Sequence, residues 1–487
     1  MQLTFSNTLR GTMHLPASKS LSNRALILNA LARGAWRIEN LSDADDTRVL
    51  QQALMQRGGI VDIGAAGTAM RFLTAYFSLQ DGTRILTGTE RMKQRPIGIL
   101  VEALRKLGAD IEYVENEGFP PLRIHGRSLR GTSISVPAGV SSQYISALLM
   151  IAPYVEGNLH LELEGEVASR PYIEMTKSLV AMFAQEKPHT YHVEPDWSAA
   201  SYAYELVALC PDPDAHLTLP GLRADSLQGD KRVADFFLPL GVRTSFTAEG
   251  AIITKVPRSS EPLHLDFSEQ PDLAQTLVVA CAMLRHPFRF TGLKSLRIKE
   301  TDRIAALCTE LKKIGVALTV SGDDAIECTR FPQSWPTFPI SIATYSDHRM
   351  AMCFAPAAYI LPQLKIENPE VVSKSFPTFW DEISKITHHT TEHASCSLSG
   401  ICTLNCDDEI FAEEPEYYDD EELDRFRGRG ARDYSAEETD EFEEVMTTMR
   451  PDEVHGWLHS LELRGLQLPI ALHDAAMILV EESSSHT

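Results

Sequence analysis

The 487 residues are too many for one ordinary hydrophobic core, and 44% hydrophobic with 23% charged side chains describes a globular chain rather than a disordered or fibrous one. No apolar run reaches the length of a membrane span. The opening Met1-Gln2-Leu3-Thr4-Phe5-Ser6 also lacks the basic and apolar regions of a secretory signal, so no membrane partner and a cytoplasmic location are expected. The net charge of −22 sits almost wholly in residues 388–487, which hold 25 acids against six arginines and no lysine; residues 1–387 keep 42 acids and 39 bases, without the basic stripe that a nucleic-acid partner requires.

In chain order, the first dense signal is Pro16-Ala17-Ser18-Lys19-Ser20-Leu21-Ser22-Asn23-Arg24-Ala25. The apolar run 25–32, stopped by Gly34, predicts a helix whose free N–H groups the preceding hydroxyls can cap. Lys19 and Arg24 beside that partially positive end make a receptor for phosphate or carboxylate; the plainer reading is a Ser-capped helix with two solvated cations. In Gly64-Ala65-Ala66-Gly67-Thr68-Ala69-Met70-Arg71 the glycines allow close approach of backbone N–H groups to an anion. That segment has neither the Gly-Lys-Ser/Thr of a P-loop nor a dinucleotide fingerprint. Arg91-Met92-Lys93-Gln94-Arg95-Pro96 then gathers three cations ahead of another helix.

A recurring unit runs through the middle of the chain: a helix, a Leu-Gly or Ile-Gly step, then an alternating strand. It is seen at residues 100–113, 233–246 and 304–320, with second strands at 122–125 and 252–254. Glycine after a last helical turn is a C-terminal cap, and such repeats imply an α/β protein with internal pseudo-symmetry. Ser141-Ser142-Gln143 and Ser169-Arg170-Pro171-Tyr172 open further helices. Cysteines are scattered without framework spacing, several in apolar helical runs such as 278–284, and read as buried free thiols. Residues 297–303 and 345–352 place charge ahead of helices rather than along their outer faces, which favours a site over a solvated salt-bridge face.

Taken together, residues 16–25, Ala66-Gly67-Thr68-Ala69-Met70-Arg71, residues 91–96, Ser141-Ser142-Gln143, Lys299-Glu300-Thr301-Asp302-Arg303, Asp347-His348-Arg349-Met350-Ala351 and Lys374-Ser375-Phe376-Pro377 resemble the motif set of the 5-enolpyruvylshikimate-3-phosphate synthase family. The resemblance covers residues 1 to about 387. It implies an α/β class and the two-domain enolpyruvyl transferase fold, an inverse α/β barrel of repeated α–β–β units. One domain would span 19–195 and the other 1–18 with 196–387. The implied reaction moves the carboxyvinyl group of phosphoenolpyruvate onto the 5-hydroxyl of shikimate 3-phosphate and releases phosphate, a step of the shikimate pathway to chorismate and the aromatic amino acids.

By the same resemblance, shikimate 3-phosphate falls to Lys19, Ser20, Arg24, Ser141, Ser142, Gln143, Ser169, Asp272 and Lys299. Phosphoenolpyruvate falls to Lys19, Gly67, Arg95, Gln143, Arg303, Arg349 and Lys374. Asp272 matches the proton acceptor for the attacking hydroxyl; Glu300 is the candidate for the methylene proton, with Lys374 or Lys19 competing. No metal, nucleotide or organic cofactor is called for, a monomer is expected, and Gly67 at the phosphoenolpyruvate loop implies inhibition by glyphosate. Ala65 and Ser295 stand where many members have Asn. The chain is also short between Met55 and Gly64 and between Phe183 and Asp196, so two of six units are expected to lack most of a strand pair. A UDP-N-acetylglucosamine enolpyruvyl transferase-like activity and a non-catalytic phospho-ligand binder are the alternatives; a binder would not need Asp272 and Glu300 inside cationic clusters.

Residues 388–432 read as an acidic flexible linker. Its Cys396, Cys402 and Cys406 lack the Cys-x-x-Cys pair of a good zinc site. Ser435-Ala436-Glu437-Glu438 is a capping signature for a helix through Met449, and Pro451 and Pro469 start two more. This small all-α appendage, 433–487, is a bundle or a docking module for an unknown protein partner.

Overall fold

Among the described residues, alternating apolar residues flanked by glycine turns build six small sheets, and the helices packed with them include two buried on nearly every side. The computed structural model describes residues 1–387 except 138, 140, 166–168, 186–188 and 362. Within 417–479 it describes all but 419, 432, 451, 452, 455, 456, 459, 462, 463, 465, 474, 477 and 478. The chain divides into a unit of residues 1–395 and a unit of residues 396–487.

In the first unit every sheet contains a parallel pair, and the sheets differ in what is added to it. In one, Gly59–Asp62 lies parallel to Gly82–Thr87, whose other edge takes the antiparallel hairpin Asp110–Tyr113 and Leu122–Gly126. Arg10–Thr12 with His216–Pro220 repeats that pattern with the hairpin Val242–Phe246 and Gly250–Lys255. Leu263–Asp266 with Phe288–Thr291 repeats it again with Thr319–Ser321 and Ala325–Cys328. The parallel pair Ile340–Ile342 and Leu364–Ile366 gains one antiparallel strand, Gln2–Leu3. The pairs Arg37–Glu39 with Thr190–His192 and Ser133–Pro137 with His160–Glu164 gain none. These two bare pairs match the short connections after Met55 and Phe183, where the chain lacks the residues for a hairpin.

Two hydrophobic cores result. One collects residues from Ala17 to Val193; the other collects Leu3, Leu9 and Met13 with residues from Trp197 to Ile386. Helix Ala274–Met283 is buried at all ten positions and helix Trp197–Leu209 at nearly all, as expected of helices that lack a polar face. Each fully buried large side chain, such as Trp197, Phe267 or Phe354, contributes about 1.5–3 kcal/mol. The glycine steps do their expected work: Gly108 and Gly315 have φ of +94° and +83°. After Gly315 the strand begins at Thr319, not directly after the glycine as the alternation implied.

In the second unit Ser435 caps helix Ala436–Thr448 with the reciprocal Glu438 bond that the sequence signals. Trp457 and Leu461, at helical spacing, join Phe442 and Met446 in a small core. The flexible linker expected over 388–432 does not extend through its last residues. Glu421–Phe426 is a helical turn whose Leu423 and Phe426 are buried in that core. The buried Asp420 carboxylate accepts from Arg464 Nη1 at 2.7 Å and from Trp457 Nε1 at 2.9 Å. Partners some forty positions away hold this turn, so its acidic composition did not reveal it. Cys396, Cys402, Cys406 and the acids at 413–416 lie outside the described residues. No helix among the described residues is long and apolar enough to cross a membrane.

Candidate active site

Helix starts from both cores open onto one cavity, lined among others by Lys19, Ser20, Arg24, Gly67, Arg95, Ser141, Ser142, Gln143, Ser169, Asp272, Lys299, Glu300, Arg303 and Arg349. Of the site residues expected from sequence, Lys374 alone is not on its wall. It reaches the same cluster through Glu300, to whose Oε1 its Nζ donates at 2.8 Å.

The first core contributes cations. Helix Lys19–Leu31 starts at Lys19 with Ser18 as its cap, six residues earlier than the apolar run implied, so Ser20, Ser22 and Arg24 are helical. Ser18 is itself buried against a neighbouring element, which fixes the start where local composition could not. Arg24 is buried; its guanidinium donates to Thr176 Oγ1 at 2.7 Å, Ser20 O at 2.9 Å and Ser146 Oγ at 3.2 Å. Arg71 is buried likewise, donating to Pro96 O at 2.9 Å and Gly67 O at 3.2 Å. Burial pulls both guanidiniums down to about 10, Arg95 adding to the effect at Arg71, and both keep their charge at neutral pH. Among the described residues, Arg24, Arg71 and Arg95 have no carboxylate within ion-pair distance, and Arg95 Nε has no hydrogen-bond partner. Lys93, from the same cationic run as Arg95, instead pairs with Glu90 and Glu115 away from the cavity.

The second core contributes carboxylates, each locked by cations. Arg303, 2% exposed, meets Asp347 at 2.7 Å, Glu300 at 3.0 Å and Asp272 at 3.3 Å. Asp272 also takes Arg349 at 3.0 Å and has Lys299 at 3.9 Å. Burial alone would raise both carboxyls, yet Arg349, Lys299 and Arg303 hold Asp272, and Lys374, Arg303 and Arg95 hold Glu300, well below the usual carboxylate range. Burial works against charge on Lys374, but Glu300 and Asp46 raise its pKa above the ordinary value. Asp347 caps helix His348–Phe354 and binds Arg303, so one side chain sets both the helix start and the guanidinium.

The wall also includes residues that sequence reasoning missed: Asp46, Tyr172, Asp196, Ser198, Tyr202 and His348. Asp46 pairs with Lys19 at 3.0 Å, and Asp196 Oδ2 accepts from the Lys19 backbone N–H at 3.2 Å. Tyr202 Oη accepts from Arg349 Nη1 at 3.4 Å. His348 is held neutral by burial and by Lys19, Arg349 and Lys374. Tyr172 and His348 lie in segments whose chemistry marks helix starts, whereas Asp46, in the first turn of helix Asp45–Met55, Asp196, Ser198 and Tyr202 carry no such local signal. Residues before the lining helices adopt left-handed backbone: Ser169, Tyr345 and Ser346 have φ of 55°, 55° and 54°. For residues with side chains such turns are held by their surroundings and gather at functional sites.

A family model described as EPSP synthase (3-phosphoshikimate 1-carboxyvinyltransferase) matches residues 3–59 and 51–383. The chain is 53% identical over 399 residues to a 3-phosphoshikimate 1-carboxyvinyltransferase of Bacteroides fragilis, covering 79% of this chain and 97% of that one. It is 39% identical over 425 residues to the protein of the same name from Cupriavidus taiwanensis, at 77% and 97% coverage. The solved structure of EPSP synthase from Acinetobacter baumannii, 22% identical, superposes with a TM-score of 0.63 over 79% of this chain and 98% of that one, and shares the fold. A cavity at which cationic helix starts of one core face clamped carboxylates of another, among sheets that each contain a parallel pair, thus accompanies a sequence match that spans nearly all of residues 3–383: the chain belongs to the EPSP synthase family.

Proposed function

We propose that this chain transfers the carboxyvinyl group of phosphoenolpyruvate to the 5-hydroxyl of shikimate 3-phosphate and releases phosphate. The carrying observation is the charge arrangement: three buried arginines without carboxylate partners on one wall, and two carboxylates held ionised on the other. Two polyanionic substrates supply what the arginines lack. Planar guanidiniums bind carboxylate and phosphate through paired N–H groups, while Lys19 and Lys374 act as point charges.

The attacking hydroxyl loses a proton as it adds to the enol carbon, and the methylene carbon gains one. The tetrahedral adduct then loses a methyl proton and phosphate. Asp272 is the acceptor for the hydroxyl proton in this reading: its side chain keeps 23% of its surface and is ionised. Arg349, Arg303 and Lys299 hold that carboxylate, and anionic substrates drawn to the same cations loosen their grip and make it more basic. In this reading Glu300, paired with Lys374, handles the methylene proton; that Lys19 is engaged by Asp46 supports this choice over Lys19. Shikimate 3-phosphate is assigned to Lys19, Ser20, Arg24, Ser141, Ser142, Gln143, Ser169, Asp272 and Lys299. Phosphoenolpyruvate is assigned to Lys19, Gly67, Arg95, Gln143, Arg303, Arg349 and Lys374.

In this reading residues 19–195 and residues 1–18 with 196–387 are the two catalytic domains, working as a cytoplasmic monomer open to inhibition by glyphosate. The test is phosphate release from phosphoenolpyruvate. Release that requires shikimate 3-phosphate is expected. Release that requires a UDP-sugar instead, or substrate binding without turnover, would overturn the assignment.

A further inference from the structure

The chain passes between its two cores at residues 13–17 and again at 193–197. These passages lie side by side. Ala17 and Pro195 form an antiparallel bridge, Ser18 N–H donates to Glu194 O at 2.8 Å, and Asp196 N–H donates to Pro16 O at 2.9 Å. Each passage opens directly onto a helix that carries cavity residues. Ser18 caps Lys19–Leu31, and Asp196 caps Trp197–Leu209, the helix of Ser198 and Tyr202. How one core meets the other is therefore set within a few residues.

Gln228 comes from neither passage, is buried, and is not part of the cavity wall. Its side-chain amide binds both. Oε1 accepts from Ser18 Oγ at 2.9 Å and from Trp197 N–H at 3.1 Å, and Nε2 donates to Pro195 O at 2.8 Å. Ser226 extends the contact: its Oγ accepts from Gln228 N–H at 3.1 Å and donates to Glu194 Oε1 at 2.6 Å. A primary amide carries both an acceptor and a donor at this spacing; an ionised carboxylate would face the Pro195 carbonyl with another acceptor, and Asn is one methylene too short.

We propose that Gln228 is a positioning residue for the reaction, clamping both passages and so fixing how Lys19 of one core meets Asp272, Arg349 and Lys374 of the other. The clamp rests on the function proposed above. There the phosphoenolpyruvate set is split between the cores, with Lys19, Gly67, Arg95 and Gln143 on one and Arg303, Arg349 and Lys374 on the other. The shikimate 3-phosphate set lies mainly on the first core. A loosened clamp therefore weakens use of phosphoenolpyruvate more than binding of its partner.

The experiment compares full-length wild type, Gln228→Leu and Gln228→Glu. It measures the KM for phosphoenolpyruvate and kcat by phosphate release, the Kd for shikimate 3-phosphate by calorimetry, and Tm. Loss of three buried amide hydrogen bonds in Gln228→Leu is expected to raise that KM about tenfold or more, with the shikimate 3-phosphate Kd changed less than about threefold. Gln228→Glu, which keeps the acceptor and loses the donor when ionised, should fall between. Equal losses for both substrates, unchanged kinetics in Gln228→Leu, or a lowered Tm in Gln228→Glu with no split between substrates would overturn the clamp. Wild type inert towards the two substrates would refute the proposed reaction itself, whereas an active wild type with an indifferent Gln228→Leu refutes the clamp alone.

Discussion

Among the described residues Arg303 meets three carboxylates while Arg24, Arg71 and Arg95 meet none, although all four are buried. A buried guanidinium without a counter-ion is costly, and a protein retains one where a ligand supplies the missing charge. At Gly67 the reason for glycine is steric: a Cβ there would lie 2.5 Å from Arg95 Nη1. Gly67→Ala must push that guanidinium aside. Steady-state kinetics should show the KM for phosphoenolpyruvate raised roughly tenfold, with the Kd for shikimate 3-phosphate unchanged, if Arg95 supplies the order of a charge-assisted hydrogen bond. Asp272→Asn keeps shape and removes the base. We expect kcat lower by about 10²–10⁴, the usual contribution of a positioned proton acceptor, and a kcat within a few-fold of wild type would remove Asp272 from that role.

Elements explain which of these residues were readable. Hydroxyls, glycines and cations ahead of apolar runs mark helix starts by local chemistry, and each helix start so marked in the first unit sends at least one residue to the cavity wall. Hairpins could be read too, because glycine turns and alternation are also local. The parallel pairs were not legible, nor were Asp46, Asp196 and Tyr202. Their roles depend on which distant element packs against them, as when Lys19 takes Asp46 for its partner.

Asp230 is a case of this kind. It sits in the turn Gly229–Arg232, bonded to Ser198 Oγ on one helix and to Tyr172 Oη, at 3.4 Å, on another. Burial, Asp272 and Asp196 push its carboxyl up to about 7 from 3.8, against the pull of Ser198 and Arg349. The folded state therefore holds this proton after the unfolded chain has released it. Its contribution to stability is full below about pH 4 and falls as pH rises to about 7. Asp272 and Glu300, shifted the other way, lose theirs only as pH drops below the ordinary carboxylate range. Thermal melts across pH 5–8 should show wild type losing stability relative to Asp230→Asn, and parallel curves would contradict the assignment.

At the scale of the molecule, the acidic end is a separate body. Residues 396–487 form their own compact unit with their own core, closed by Arg464 on Asp420. The cavity draws its wall entirely from residues 19–375. Deleting 396–487 should therefore leave kcat/KM within about twofold, inside the range of surface changes remote from a site. A larger loss would give the appendage a part in turnover. Whole-chain composition hid this division, since the net charge of −22 describes neither body.

The central claim is that both cores hold the two anions together in one cavity. A crystal structure of the full chain with shikimate 3-phosphate and an unreactive phosphoenolpyruvate analogue tests it most directly. The sugar phosphate is expected against Ser20, Arg24, Ser141, Ser142 and Ser169, and the analogue between Lys19 and Arg95 on one side and Arg349 and Lys374 on the other. Either ligand bound outside this cavity, or the analogue held by one core alone, would contradict it.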